Sequence, residues 1–165
     1  VRYSLRGSTP QALQGFIRNV ADITKEGGCF IGTCYNGDTV FRLLNGKKEG
    51  ESVSFTQDGE KLCEITKRYD RESYTPDSSS IGYGIDVYQE SINKTFREYL
   101  VNPAYLTRLM EDYGFAPLTR EEYEDAGLPA SSGGFRSLYS QMSKKFAEQP
   151  GLARRYGAAA SMTDR

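Results

Sequence analysis

A short apolar run between two glycine-containing breaks constrains the fold of this chain more than any other feature. The run reads CFIGTC over residues 29–34, with Gly27-Gly28 before it and Asn36-Gly37 after it. A continuous apolar run of this length, bounded by turn residues, is typical of a strand buried on both faces of a parallel sheet. Together with helical patterns on both sides, it predicts an α/β fold with a doubly wound core.

The helical patterns flank this run closely. Ser8 and Gln11 are spaced as a capping box, and Pro10 suits the first turn of a helix that the glycines at 27 and 28 end. A second helix is predicted over residues 38–44. Helix, glycine turn, buried strand and helix is the order expected of a parallel α/β sheet.

The middle of the chain is more polar and predicts antiparallel structure. Asp58-Gly59 is a strong hairpin-turn dipeptide between two alternating segments. We interpret residues 46–80 as an insert in the α/β domain rather than a second domain, with a surface loop at 74–80. Alternation over residues 85–92 predicts a further strand.

Three helical patterns complete the chain. Asn102-Pro103 caps a helix that Gly114 ends, and Thr119 with Glu122 forms a capping box for a short helix to Ala126. A last amphipathic helix is predicted over residues 132–146. In a doubly wound domain that helix would lead into another strand. Because no such strand follows and the chain starts at Val1 without Met, we expect residues 1–165 to be one partial domain, truncated at both ends.

Charge and composition exclude several classes of function. Lys and Arg number 21 against 22 Asp and Glu, a net charge of −1, so the broad basic surface that grips long nucleic acids is missing. Any nucleic acid would be held locally. The chain has no His, which excludes His-dependent catalytic relays and His-ligated zinc.

Cysteine usage and hydropathy bear on location. An odd number of cysteines, Cys29, Cys34 and Cys63, favours a reducing compartment, and we expect Cys29 and Cys34 to be buried thiols rather than metal ligands. The apolar stretches are far shorter than the ~18 residues of a membrane span. The prediction is an intracellular protein without a membrane partner, in either the cytoplasm or the nucleus.

Four segments in order along the chain resemble a known family. They read GFIRNVAD at 15–22, GGCFIGT at 27–33, IDVYQESI at 85–92 and FREYLV at 96–101. With the helical pattern after Asn102, they resemble the mRNA cap guanine-N7 methyltransferases, in the versions found in large DNA viruses and some protists. The resemblance covers nearly all of the chain and implies the C-terminal portion of a Rossmann-like class I methyltransferase fold with an antiparallel hairpin insert.

The resemblance implies a reaction, a co-substrate and partners. The reaction is transfer of a methyl group from S-adenosyl-L-methionine to N7 of the guanine in the mRNA cap. The partners are capped RNA and other capping-enzyme domains or subunits. The N7 lone pair attacks the sulfonium methyl without a proton transfer, so the lack of His is no obstacle, and positioning supplies most of the catalysis. The family's donor-binding half would lie before Val1, so we expect the fragment to be inactive alone.

Four residues match the family's binding positions, and no catalytic residue or metal ligand is implied. Tyr3 matches the tyrosine between the methyl donor and the cap guanine, where an aromatic face favours both cations. Arg2 takes the place of a guanine-contacting histidine. Tyr35 stands where many relatives have proline beside the N7 edge. Glu98 matches the carboxylate that accepts from guanine N1–H and the 2-amino group, a pairing that excludes adenine.

Other interpretations remain open for the same residues. Arg2 in place of histidine also fits a non-catalytic methyltransferase-like subunit that stabilises a capping enzyme. A class I methyltransferase with a small-molecule acceptor is a further alternative. Taken without the family, Glu98 fits a solvated partner of Arg97 or Lys94, Tyr35 fits a surface turn, and Tyr3 fits a cap on the sheet edge.

Overall fold

Residues 9–57, 59–149 and 151 are described by the computed structural model. The chain divides into two compact units, Val1–Ala116 and Pro117–Arg165. Both helices and strands occur among the described residues, so the mixed α/β class predicted from the sequence is confirmed at that level.

A four-stranded antiparallel sheet organises the first unit. Its strands are β1 (Ser52–Gln57), β2 (Glu60–Arg68), β3 (Gly84–Gln89) and β4 (Lys94–Tyr99), each paired with its neighbour in chain order. Gln57 pairs with Glu60 across the β1–β2 turn, and Gly59 has φ of 86° there, a left-handed conformation that glycine adopts without strain. The hairpin predicted at this dipeptide is confirmed. Its two strands, from the predicted insert, continue into one sheet with β3 and β4.

Three helices belong to the same unit: α1 (Pro10–Ile23), α2 (Gly37–Leu43) and α3 (Pro103–Glu111). The cap of α1 is Thr9, whose hydroxyl accepts a hydrogen bond from Ala12 N at 3.2 Å. The predicted cap, Ser8, lies outside the described residues. The α2 and α3 helices follow their predictions closely, because Asn36 and Asn102 cap them through their side-chain oxygens.

The core lies between α2 and one face of the sheet. Leu44 and Ile85 are completely buried there, and Val87 and Tyr83 nearly so. The residues that alternate with these along the strands, such as Arg68 and Asp86, form the opposite, polar face. One buried and one polar face is the usual arrangement of an antiparallel sheet.

The run at residues 29–34 is the main departure from the sequence prediction. It contains no strand, and Phe30 and Ile31 are 41% and 80% exposed. Cys29 and Cys34 are exposed as well, so the expectation that these two thiols are buried is wrong. A strand is buried only where neighbouring strands pair with its backbone. Among the described residues, the nearest such pairing is one parallel bridge, between Asn36 and Val101.

The second unit contains α4 (Arg120–Asp125) and α5 (Phe135–Glu148). Thr119 and Glu122 form the predicted capping box: the Thr119 backbone N–H donates to the Glu122 carboxylate at 2.8 Å, and the Glu122 N–H donates to the Thr119 hydroxyl. Both helices were expected from the sequence. None of the described helices is long and apolar enough to cross a membrane.

Candidate functional site

Glu98 lies on the face of the sheet that carries the core. It stands opposite Ile85 in the β3–β4 ladder, and residues directly opposite each other point to the same side of a sheet. Ile85 is completely buried beneath α2, whereas Glu98, on an edge strand of the described sheet, is half-buried. The carboxylate therefore borders the core and still reaches solvent.

Tyr35 packs against the same face. Its ring contacts the core cluster, and its hydroxyl accepts a hydrogen bond from Gln89 Nε2 at 3.4 Å. Gln89 lies two and four residues after Val87 and Ile85 in β3, so all three side chains point to one side. The structure thus brings an aromatic ring and a carboxylate, distant in sequence, to one sheet face.

The turn that carries Tyr35 is tied to the strand that carries Glu98. Gly37 N donates to the Val101 carbonyl at 2.8 Å, beside the parallel bridge of Asn36. Asn102 is 4% exposed, and its Nδ2 donates to Asp38 Oδ1 at 3.0 Å while its Oδ1 caps α3. These bonds limit the movement of the turn relative to the end of β4.

Four aromatic rings form a cluster next to the turn at residues 36–37. Phe41 stacks on Tyr74 with ring centres 5.4 Å apart, and Tyr69 lies 4.8 Å from Tyr83. The hydroxyls of Tyr69 and Tyr74 are buried without a hydrogen-bond partner among the described residues. Burial, followed by the neighbouring Tyr83, raises the pKa of Tyr69 to about 12. Burial, followed by the Asp38 carboxylate, raises the pKa of Tyr74 still further, so both phenols are neutral at physiological pH.

An ion-pair cluster occupies the opposite face. Asp86 accepts from Arg68 Nε at 2.6 Å and from Arg97 Nε. These bonds, the one from Arg97 first, hold the pKa of Asp86 below its usual value and raise the pKa of Arg97. Arg97, one of the two cations that could have paired with Glu98 in the family-free interpretation, therefore binds a different carboxylate on the other side of the sheet.

The remaining site predictions fall outside this region. Arg2 and Tyr3 lie outside the described residues. Tyr3 is the residue implied to contact S-adenosyl-L-methionine, so the donor has no assigned contact within residues 9–149. Among the residues that the structure describes, no three Cys, Asp or Glu side chains gather as they would around a metal ion.

Sequence reasoning missed the supporting residues of the site. Asn102 was interpreted only as a helix cap, and Gly37 only as part of a turn. Tyr74 was assigned to a surface loop, although its hydroxyl packs beside Gly37. The Asn-Pro and Asn-Gly dipeptides were visible signals of local structure, but nothing in them indicated which distant residue each would contact.

Comparison with known proteins adds no assignment: no protein-family model matches this chain, and no curated protein matches it at a significant level.

Proposed function

We propose that this chain is part of an S-adenosyl-L-methionine-dependent mRNA cap guanine-N7 methyltransferase. The ordered segments described above suggest the family. The observation that carries the proposal is the strand register that puts Glu98 opposite Ile85, on the sheet face against which Tyr35 packs. These are the two described residues that match the family's guanine-binding positions.

The proposed recognition follows from the donors of guanine. Its N1–H and 2-amino groups lie side by side, and the two oxygens of a carboxylate such as that of Glu98 can accept from both at once. Adenine presents an acceptor at N1, so it cannot donate this pair of hydrogen bonds. The Tyr35 ring supplies a wall beside the base, and the bonds from Gly37 and Asn102 tie the turn that carries Tyr35 to the segment that follows β4.

The proposed chemistry is a displacement at carbon. Bound S-adenosyl-L-methionine supplies the methyl group; a bond forms between that carbon and guanine N7 as its bond to sulfur breaks, and no proton moves. The contribution of this chain is to bind and orient the base, because holding two reactants in line lowers the barrier by as much as ~7–11 kcal/mol.

The proposal includes the Rossmann-like arrangement. In it, the apolar run at residues 29–34 pairs with parallel strands from further polypeptide. The exposure of Phe30 and Ile31 in the first unit supports this, because apolar side chains of a strand need such neighbours to be buried.

The test uses the full-length protein that contains this chain. It is supplied with GpppRNA and S-adenosyl-L-methionine carrying a labelled methyl group, and the product is digested to locate the label. Label at N7 of the cap guanine supports the proposal. No transfer would favour the non-catalytic subunit, and transfer to a small molecule alone would favour the other class of methyltransferase.

A further inference from the structure

We propose that an open cavity of the first unit, around Arg71, holds a phosphate of the RNA that follows the cap; this inference rests on the proposed function. The cavity is broad and open to solvent, with a volume of about 660 Å³. Six of its lining residues carry the argument: Arg71, Glu72, Ser73, Ser78, Ser79 and Tyr83.

Arg71 is held in place before any ligand binds. Its Nη1 donates to the carbonyls of Ser79 at 3.0 Å and Ile81 at 3.4 Å, and its guanidinium carbon lies 5.1 Å from the Tyr83 ring centre. Tyr83 is held in turn by a bond from its hydroxyl to the Ser73 carbonyl at 2.5 Å. A fixed guanidinium loses little freedom on binding, and its planar donors match the oxygens of a phosphate.

The cavity also offers neutral hydroxyls. Those of Ser73 and Ser78 line it, and serine hydroxyls are common partners of phosphate oxygens in nucleic-acid complexes. The Ser79 hydroxyl is already paired with Thr75 Oγ1 at 2.9 Å. A single arginine with hydroxyls grips one phosphate locally, which is consistent with the net charge of −1 on this chain.

The cavity lies close to Glu98 along the sheet. The Tyr83 carbonyl accepts from Leu100 N at 2.9 Å, and Leu100 follows Glu98 by two residues. Two residues of extended chain span about 7 Å, and the side chains of Glu98 and Leu100 both point to the core face. Tyr83, over whose ring the Arg71 guanidinium lies, is therefore near Glu98 along the sheet, and in this proposal the RNA that leaves a guanine held at Glu98 runs toward Arg71.

The charges around the cavity predict effects of opposite sign. Arg71 is its lining cation and Glu72 its lining anion. The nearby Asp77 carboxylate is engaged by Ser79 N at 2.8 Å. Removing the Arg71 charge should weaken phosphate binding, whereas removing the Glu72 charge should strengthen it.

The experiment measures affinity of the full-length protein for four probes: a cap dinucleotide, a capped RNA of about ten nucleotides, the same RNA without a cap, and inorganic phosphate. Arg71→Met should lower affinity for both RNAs about 3- to 10-fold at low salt, and reduce the slope of log affinity against log salt by about 0.7. Glu72→Gln should raise affinity for both RNAs. Neither variant should change dinucleotide affinity, and Arg120→Met, in the second unit, should change nothing.

The outcomes separate this inference from the proposed function. If the dinucleotide does not bind, the proposed function fails, and the uncapped RNA still tests Arg71. Unchanged RNA affinity in Arg71→Met, or lower RNA affinity in Glu72→Gln, would overturn the inference. The inference would also be overturned if the protein bound inorganic phosphate in an Arg71-dependent way but bound neither RNA. Melting temperatures of both variants guard against a folding defect, and Glu72→Gln remains decisive if Arg71→Met unfolds.

Discussion

At the residue scale, the candidate site depends on one position without a side chain. A Cβ at Gly37 would lie 2.7 Å from the Val101 carbonyl and closer still to the Tyr74 hydroxyl. The same residue donates its N–H to that carbonyl at 2.8 Å, so the two backbones are in direct contact. Glycine is thus required here for contact with the segment that follows β4, rather than for a left-handed conformation.

Gly37→Ala should lower the free energy of unfolding by about 1–3 kcal/mol, because the added methyl group has to push a backbone carbonyl away. Urea denaturation followed by circular dichroism measures the change. Gly15→Ala is the matched control: nothing lies within 4 Å of its position on α1, so it should stabilise by about 0.5–1 kcal/mol. Equal effects of both variants would show that Gly37 is not tightly packed.

Glu98→Gln tests the proposed guanine contact with almost no change of shape. The amide loses the charge and presents a donor toward the donors of guanine, so kcat/KM for GpppRNA in the full-length protein should fall about 10- to 100-fold. Glu124→Gln, in an exposed pair with Arg120, is the control and should leave the rate unchanged. A normal rate for Glu98→Gln would remove this residue from the site.

At the scale of the elements, local signals predicted most helices and turns, since caps and turn dipeptides act over three or four residues. The caps at Asn102 and Thr119 and the hairpin at Gly59 illustrate this. The strand predicted at residues 29–34 was wrong because a strand forms only beside a neighbouring strand, and hydrophobic periodicity does not show whether that neighbour is present.

Thr119→Ala should destabilise α4 by about 1 kcal/mol, because it removes the hydroxyl that accepts from the Glu122 backbone. Hydrogen exchange of the α4 amides is the measurement, and faster exchange should be confined to that helix. Ser131→Ala, at an exposed position between α4 and α5, provides the comparison. Unchanged exchange in Thr119→Ala would mean that the capping box does not stabilise the helix.

The Asp86 cluster joins three strands and predicts a pH dependence. Because hydrogen bonds hold the folded-state pKa of Asp86 below its usual value, its stabilisation is present above the unfolded pKa, about 3.9, and lost as pH falls through the folded pKa. The stability advantage of the wild type over Asp86→Asn should therefore be constant near neutral pH and shrink below about pH 4. Asp22→Asn, exposed on α1, is the control. An advantage that persists at low pH would contradict the ion-pair explanation.

At the scale of the whole molecule, apolar surface is divided between a buried cluster and an exposed run. Ile65 is 5% exposed in the core, whereas Ile31 is 80% exposed. The sequence predicts a strand at each position, and the apolar residues around Ile65 and Ile31 do not distinguish the two predictions. The difference arises because β2 has a strand on each side and the described run has none.

Ile65→Ala should cost about 2–5 kcal/mol in unfolding free energy, as large-to-small changes in cores do, whereas Ile31→Ala should change it by less than about 0.5 kcal/mol in this chain. Urea denaturation of both variants decides the matter. A cost at Ile31 comparable to that at Ile65 would show that the run is buried after all, as its sequence suggested.

The amino-acid sequence by itself determined where helices and turns begin, that an antiparallel hairpin follows Gln57, and which chemistry a chain without histidine cannot perform. These properties depend on side chains within a few residues of one another. Only the tertiary structure decided that Tyr35 and Glu98 share a sheet face, that Asn102 and Gly37 hold them there, and that residues 29–34 are exposed. Those outcomes depend on strand register and on which backbone groups find partners, and both are set by contacts between segments far apart in the chain.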